Sequence, residues 1–315
     1  WPPGDDHRGS VTTGRDETGV PQMCAGRTTR FLFGLAAWAL TATAVMAQSA
    51  TPPTSAAAVA DLPFAIDGPL PPVAPAVAVR DAEGRATVRA VRLDAPLRLD
   101  GVLDEPVYEQ VLPITDFIQL EPEAGSQATE KTDLWIAFDD DHVYVACRCW
   151  ESAPERRVAT EMRRDSGATW QGNDLISVFF DTFYDRRNGV SFTINSVGGR
   201  NDGQVTNETQ YASDWNPIWD FATGRFDGGW TVEMAIPFKS LRYREGTAQV
   251  WGFNALRAVR WKNELSLISR VPPGRAHTIY EQASDKGADK GMRERALTIA
   301  FDGDRLWIHA VTCGG

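Results

Sequence analysis

Histidine, cysteine and long helical periods are all scarce in this 315-residue chain, and each scarcity excludes something. Of four histidines, only His142 falls within residues 86–271, and no G-x-S-x-G occurs. A Ser-His-Asp hydrolase is therefore disfavoured. Neither C-x-x-C nor H-E-x-x-H is present, which removes the common zinc spacings. Of four cysteines, Cys147 and Cys149 stand two apart on an expected strand and so face one side. Their Cα atoms would lie about 6.5–7 Å apart, near the long limit for a bridge. Two small buried thiols are expected. Excess positive charge is also missing: the net charge is −10 and the pI about 5.0. That argues against a nucleic-acid partner, which needs a basic face. It leaves neutral ligands such as sugars open.

The N-terminal region is of two kinds. Residues 1–22 lack an initiating Met and any apolar period, and are expected to be upstream translation. From Met23, Arg27 and Arg30 make a basic start and Phe31 to Ala44 an apolar run. Val45-Met46-Ala47 supplies small residues for cleavage before Gln48. Residues 23–47 read as a secretory signal peptide. The apolar run is short of the ~20 residues a membrane span needs. Export is expected, to the periplasm, outer membrane or exterior. Residues 48–85 are rich in Ala and Pro and read as an extended, disordered linker.

From Ala86 the period becomes two. TDLWIAFDDDHVYVACRCW is the clearest hairpin: Leu134, Ile136 and Phe138 share one face, and Val143, Val145, Cys147 and Cys149 another. Further strands are expected over 174–183, 189–199, 219–226, 229–238 and 249–261, with a helical turn at PVYEQV. Hairpin-linked strands over some 185 residues predict an all-β fold, an antiparallel β-sandwich. Residues 272–315 are poorly patterned and read as a truncated or frame-disrupted tail.

Five phrases occur in order: LRLDGVLDEPVYEQV, ATEKTDLWIAFDDDHVYVACRCWE, RRDSGATWQGNDLISVFFDTFYDRRNGVSFTINSVGGRNDGQ, WNPIWDFATGRFDGGWTVEMAIPFKSLRY and WGFNALRAVRWKNE. Residues 86–271 thereby resemble a family 9 carbohydrate-binding module (a DOMON/CBM9-like sandwich), in the variant that opens a group of bacterial outer-membrane proteins. The resemblance implies a polysaccharide or its end as partner, and association with the outer membrane through a C-terminal β-barrel region. Two departures stand out. Tyr108 replaces a usual Trp, and the 44 residues after Val271 cannot supply a barrel.

Sugar recognition needs flat apolar faces and planar polar groups. Eleven tryptophans offer candidates. Trp170 is expected in a polar loop before a strand. Asn195 ends a strand, with Arg200, Asn201 and Asp202 in the loop after it. Trp215 and Trp219 lie in a polar, Pro-broken segment. Trp170, Trp215, Trp219, Arg200 and Asn195 are the candidate ligand residues; the alternative is that these tryptophans pack their loops onto the sandwich. Trp135, Trp150, Trp230 and Trp251, within strands, read as packing residues. Arg163, Arg164 and Asp165 form a polar network or a solvated cluster. Asp100 and Asp104 are candidate oxygen ligands for a structural Ca²⁺, against the alternative of solvated turn carboxylates. Glu233 is expected to pair with an Arg or face a loop.

Three functions remain in order. The first is a secreted carbohydrate-binding module at the cell envelope, linked to carbohydrate catabolism. The second is an interaction domain of an outer-membrane barrel protein that binds no sugar. The third is part of an O-glycosyl hydrolase, an activity suggested only because such modules are often joined to glycosidases. Paired carboxylates do not discriminate: removing the four in residues 1–47 from 42 leaves 38 acidic residues, enough to satisfy the spacing by chance.

Overall fold

The computed structural model describes residues 68–82, 85–185, 187–207, 210–244, 248–269, 297–302 and 305–310. The expected upstream segment, the signal peptide, residues 48–67 of the linker and residues 272–296 of the tail lie outside them.

In chain order the strands are β1 (Ala78–Arg80), β2 (Ala86–Arg92), β3 (Ile118–Glu121), β4 (Thr132–Phe138), β5 (His142–Trp150), β6 (Leu175–Asp181), β7 (Gly189–Asn195) and β8 (Arg200–Thr206). They continue as β9 (Gln210–Ala212), β10 (Asp220–Phe226), β11 (Gly229–Pro237), β12 (Ala248–Val259), β13 (Glu264–Leu267), β14 (Leu297–Asp302) and β15 (Arg305–Ala310). Two short helices intervene, α1 (Pro106–Gln110) and α2 (Gly167–Gly172). Among the described residues no helix is long and apolar enough to cross a membrane, which leaves β-barrels untouched.

The strands form the expected sandwich. The first sheet runs β10-β11-β5-β4, and the second β2-β15-β14-β12-β6-β7-β8-β9. Strand β2 joins the two, because its last residues, Val91 and Arg92, pair in parallel with Ala137 and Phe138 of β4. The tail, which shows no clear period, supplies β14 and β15 between β2 and β12.

Period-two alternation builds the core. Leu134, Ile136, Val145, Cys147, Val232 and Met234 on the first sheet face Ile176, Val178, Phe180, Phe192 and Phe253 on the second. Each such side chain stabilises the fold by about 1.5–3 kcal/mol on burial. Cys147 and Cys149 are free and buried, and burial pushes the Cys149 thiol up to about 12. Trp135, Trp230 and Trp251 are buried as packing residues.

The opposite face of the first sheet is covered by residues 93–111. Leu103 and Tyr108 pack on Trp135 and Ala146. The Asp100-Gly101 turn is held by Glu233, whose Oε2 accepts from the Asp100 and Gly101 amides at 3.1 and 2.9 Å and whose Oε1 accepts from the Tyr108 hydroxyl at 2.8 Å. Glu233 therefore faces a loop. Burial raises its pKa, against the three hydrogen bonds that favour its charged form. A raised folded-state pKa contributes stability at low pH that is lost as pH rises through it. The expected outcome is that the stability of the wild type relative to Glu233→Gln declines as pH rises from the ordinary carboxylate range. Urea titrations of both proteins at a series of pH values check it.

Candidate functional site

The first sheet ends at β10, while the second continues past β7 to β8 and β9. The core thus opens at one side. Strand β8 presents Arg200 and Asp202 there, opposite the core residues Ile194 and Phe192 of β7. Sequence reasoning puts these residues in a loop; they stand on a strand whose inward positions are charged. The segment between β9 and β10 crosses the opening and carries Trp215 and Trp219.

Trp219 is 2% exposed. Its ring lies 5.1 Å from Phe192 and 5.5 Å from Phe221, and its indole N–H donates to Asp202 Oδ2 at 3.2 Å. Arg164 donates to both Asp202 oxygens at 3.0 and 2.8 Å. Burial pushes the Asp202 carboxyl up, and the bonds from Trp219 and Arg164 hold it back. The loop bearing Arg164 is tied to β8, as the Asp165 amide donates to the Arg200 carbonyl at 2.9 Å. Arg200 lies over the rings of Trp219 and Phe221, 5.8 and 5.7 Å from their centroids. Its Nη1 donates to the Trp219 carbonyl at 3.5 Å.

Trp215 is half-buried, its ring 5.8 Å from Phe192 and steeply inclined to it. Around it Asp214, Asn216 and Asp220 are exposed, and Ile218 is 70% exposed. The opening therefore has a tryptophan with one part free, beside ordered guanidinium and carboxylate groups. Chemically this can hold a ring with apolar C–H faces and hydroxyl edges.

The structure brings Trp215, Trp219 and Arg200 together and leaves the other candidates elsewhere. Trp219 does not present a free ring, because Phe192 and Phe221 flank it. Asn195 is fully buried: its Nδ2 donates to the Glu161 carbonyl at 2.5 Å, and its Oδ1 accepts from Gly199 and Val197 at 2.7 and 3.1 Å. It shapes the turn after β7 and has no face for a ligand. Trp170 stands on α2, not in a loop. It packs with Leu175, Leu256, Ala258 and Leu267 on the reverse face of the second sheet, so it cannot share a ligand with Trp215. Of the polar network, Arg163 pairs with Glu161 at 2.7 Å, and Arg164 is the member that belongs to the opening.

Asp100 and Asp104 do not fit a Ca²⁺ site. Arg98 bonds Asp100 at 2.6 Å and Asp104 at 2.8 Å, so a guanidinium already stands where the cation would have to sit. Among the described residues no group of three or more His, Cys, Asp or Glu side chains converges as metal ligands.

Asp202, Phe192 and Phe221 were not among the sequence candidates. Phe192 and Phe221 read as ordinary strand residues. Asp202 is hidden by the mixed pattern of RNDGQVT, which shows no apolar alternate.

Fold and opening together define a β-sandwich with an aromatic and arginine-lined lateral mouth. No protein-family model and no curated protein matches the chain. Among solved structures, it is similar to a family 9 carbohydrate-binding module from Caldicellulosiruptor kristjanssonii in complex with cellotriose. Identity is 15% and the TM-score 0.42, over 57% of this chain and 82% of that one. The same organism's family 9 module in complex with glucose gives 14% identity and 0.40, over 57% and 84%. A putative carbohydrate-binding protein from Bacteroides uniformis gives 10% and 0.43, over 56% and 87%. At these scores the fold rests on the strand pairings above and not on the likeness.

Proposed function

We propose that this protein binds carbohydrate at the lateral mouth of the sandwich. The observation that carries the reading is the half-buried Trp215 beside the Arg164 and Arg200 guanidinium groups, which the buried Asp202 and Trp219 hold in place. The ring offers a platform for a sugar's C–H face, and the guanidinium groups offer hydrogen bonds to its hydroxyls. The ordered resemblance of five phrases to family 9 modules supports the same ligand class. With the signal-like segment at 23–47, the reading places this binding at the cell envelope, in the service of carbohydrate catabolism.

The test is a polysaccharide screen on the full chain by affinity electrophoresis, over xylan, cellulose, glucans and cell-wall glycan. Trp215→Ala is expected to abolish retardation. Truncating this part-buried ring is expected to cost about 1–2 kcal/mol of stability, leaving the protein folded. A folded wild-type protein that binds none of these glycans overturns the reading.

One observation favours a second reading, an interaction domain of an outer-membrane protein. Trp219 is buried, and Trp170 and Trp215 are half-buried against apolar clusters. Under that reading the tryptophans only fasten loops to the sandwich, and Trp215→Ala changes stability without changing glycan retardation.

A further inference from the structure

Arg200 differs from the cations around it. At the mouth Arg164 is paired with Asp202, and its chain neighbour Arg163, outside the mouth, with Glu161. Among the described residues Arg200 forms no ion pair; its polar contact is the Trp219 carbonyl at 3.5 Å. Its guanidinium carbon instead lies 5.8 and 5.7 Å from the Trp219 and Phe221 ring centroids, within the ~6 Å at which a cation is attracted to a ring. The two rings and the Trp219 carbonyl restrain the side chain and leave further N–H groups of the guanidinium unbonded. A guanidinium edge matches a carboxylate through two parallel bonds. The side chain is half-buried and so partly desolvated before any ligand arrives.

Resting on the carbohydrate reading, we propose that the mouth selects an acidic glycan, with Arg200 taking the carboxylate of a uronic acid residue whose ring lies against Trp215. The chain as a whole carries −10, so its overall field does not attract polyanions. A preference for an acidic glycan would therefore report a local cation.

The test is calorimetry on the full chain with polygalacturonate, with glucuronoxylan and with the carboxyl-reduced form of each. The acidic forms are expected to bind about tenfold more tightly than the reduced forms, as for one charge-assisted pair. Arg200→Gln is expected to erase that difference. Arg200→Lys, which keeps charge but loses the planar fork, is expected to keep only part of it. Thermal melting of each variant checks that it is folded. Equal affinity of the wild type for acidic and reduced forms overturns the inference and leaves the carbohydrate reading standing. Binding to neither form, or to any glycan of the wider screen, overturns both. Because the acidic-versus-reduced comparison uses the wild type, it decides the inference even if a variant fails to fold.

Discussion

Gly224→Ala and Gly101→Ala are each expected to destabilise the protein by about 3 kcal/mol or more, the cost of overpacking against backbone, to which Gly101 adds left-handed strain. The two glycines form a backbone clasp between the turn after Leu99 and strand β10. Gly101 has φ +80, and a Cβ there would stand 2.6 Å from the Gly224 nitrogen and the Thr223 carbonyl carbon. A Cβ on Gly224 would fall on the Gly101 carbonyl oxygen. That oxygen also accepts from the Thr231 hydroxyl at 2.5 Å, and the Gly101 amide is held by Glu233. Relief would require β10 to leave β11 or the turn to leave the sheet. Gly198→Ala is the control. Its φ is +88, but a Cβ there meets the Phe221 ring edge at 3.6 Å and the Thr223 hydroxyl at 4.0 Å, both ordinary contacts. It should cost roughly 1–2 kcal/mol, the left-handed strain alone. Urea denaturation of the three variants checks the ranking. Equal losses at Gly101 and Gly198, which share a positive φ, would show that conformation, and not the clasp, sets the cost at Gly101.

Trp219→Ala is expected to cost about 3–5 kcal/mol, the range for truncating a buried tryptophan. The indole closes the lateral mouth between Phe192 and Phe221 and gives Asp202 one of its hydrogen bonds. Asp202 would keep both bonds from Arg164, so the loss is mainly cavity and packing. Arg200 would lose one of its two ring platforms. Two tryptophans four residues apart are thus expected to behave oppositely: Trp219→Ala lowers the denaturation midpoint strongly, and Trp215→Ala lowers it little while removing glycan binding. Denaturation curves for both, read beside the retardation assay, check this. A Trp219→Ala protein as stable as wild type would mean that the ring does not close the core.

Much of the architecture is readable from local pattern. The alternation in TDLWIAFDDDHVYVACRCW pins β4, its turn and β5, because one slip would turn every apolar side chain outward. The same rule gives β6, β7, β10, β11 and β12 to within a few residues. It misses strands whose faces do not contrast. RNDGQVT reads as loop because Arg200, Asp202 and Gln204 point inward at an edge where no opposing strand demands apolar side chains. Helix α2 is missed because GATWQG is only six residues long and has no periodic face.

The site was legible in part. Residue chemistry picks out Trp215, Trp219 and Arg200, but it also picks out Trp170 and Asn195, which have the same composition and a different fate. Asp100 and Asp104 look like metal ligands only until Arg98 is placed between them.

By itself, the sequence determined the sandwich, the inward thiols and the absence of hydrolase and zinc motifs. All of these follow from neighbours along the chain. Only the tertiary structure decided which tryptophans stand together at the mouth and that Arg200 there has no carboxylate partner. Those properties depend on the first sheet stopping at β10 while the second runs on to β9, and so on partners that are distant in sequence.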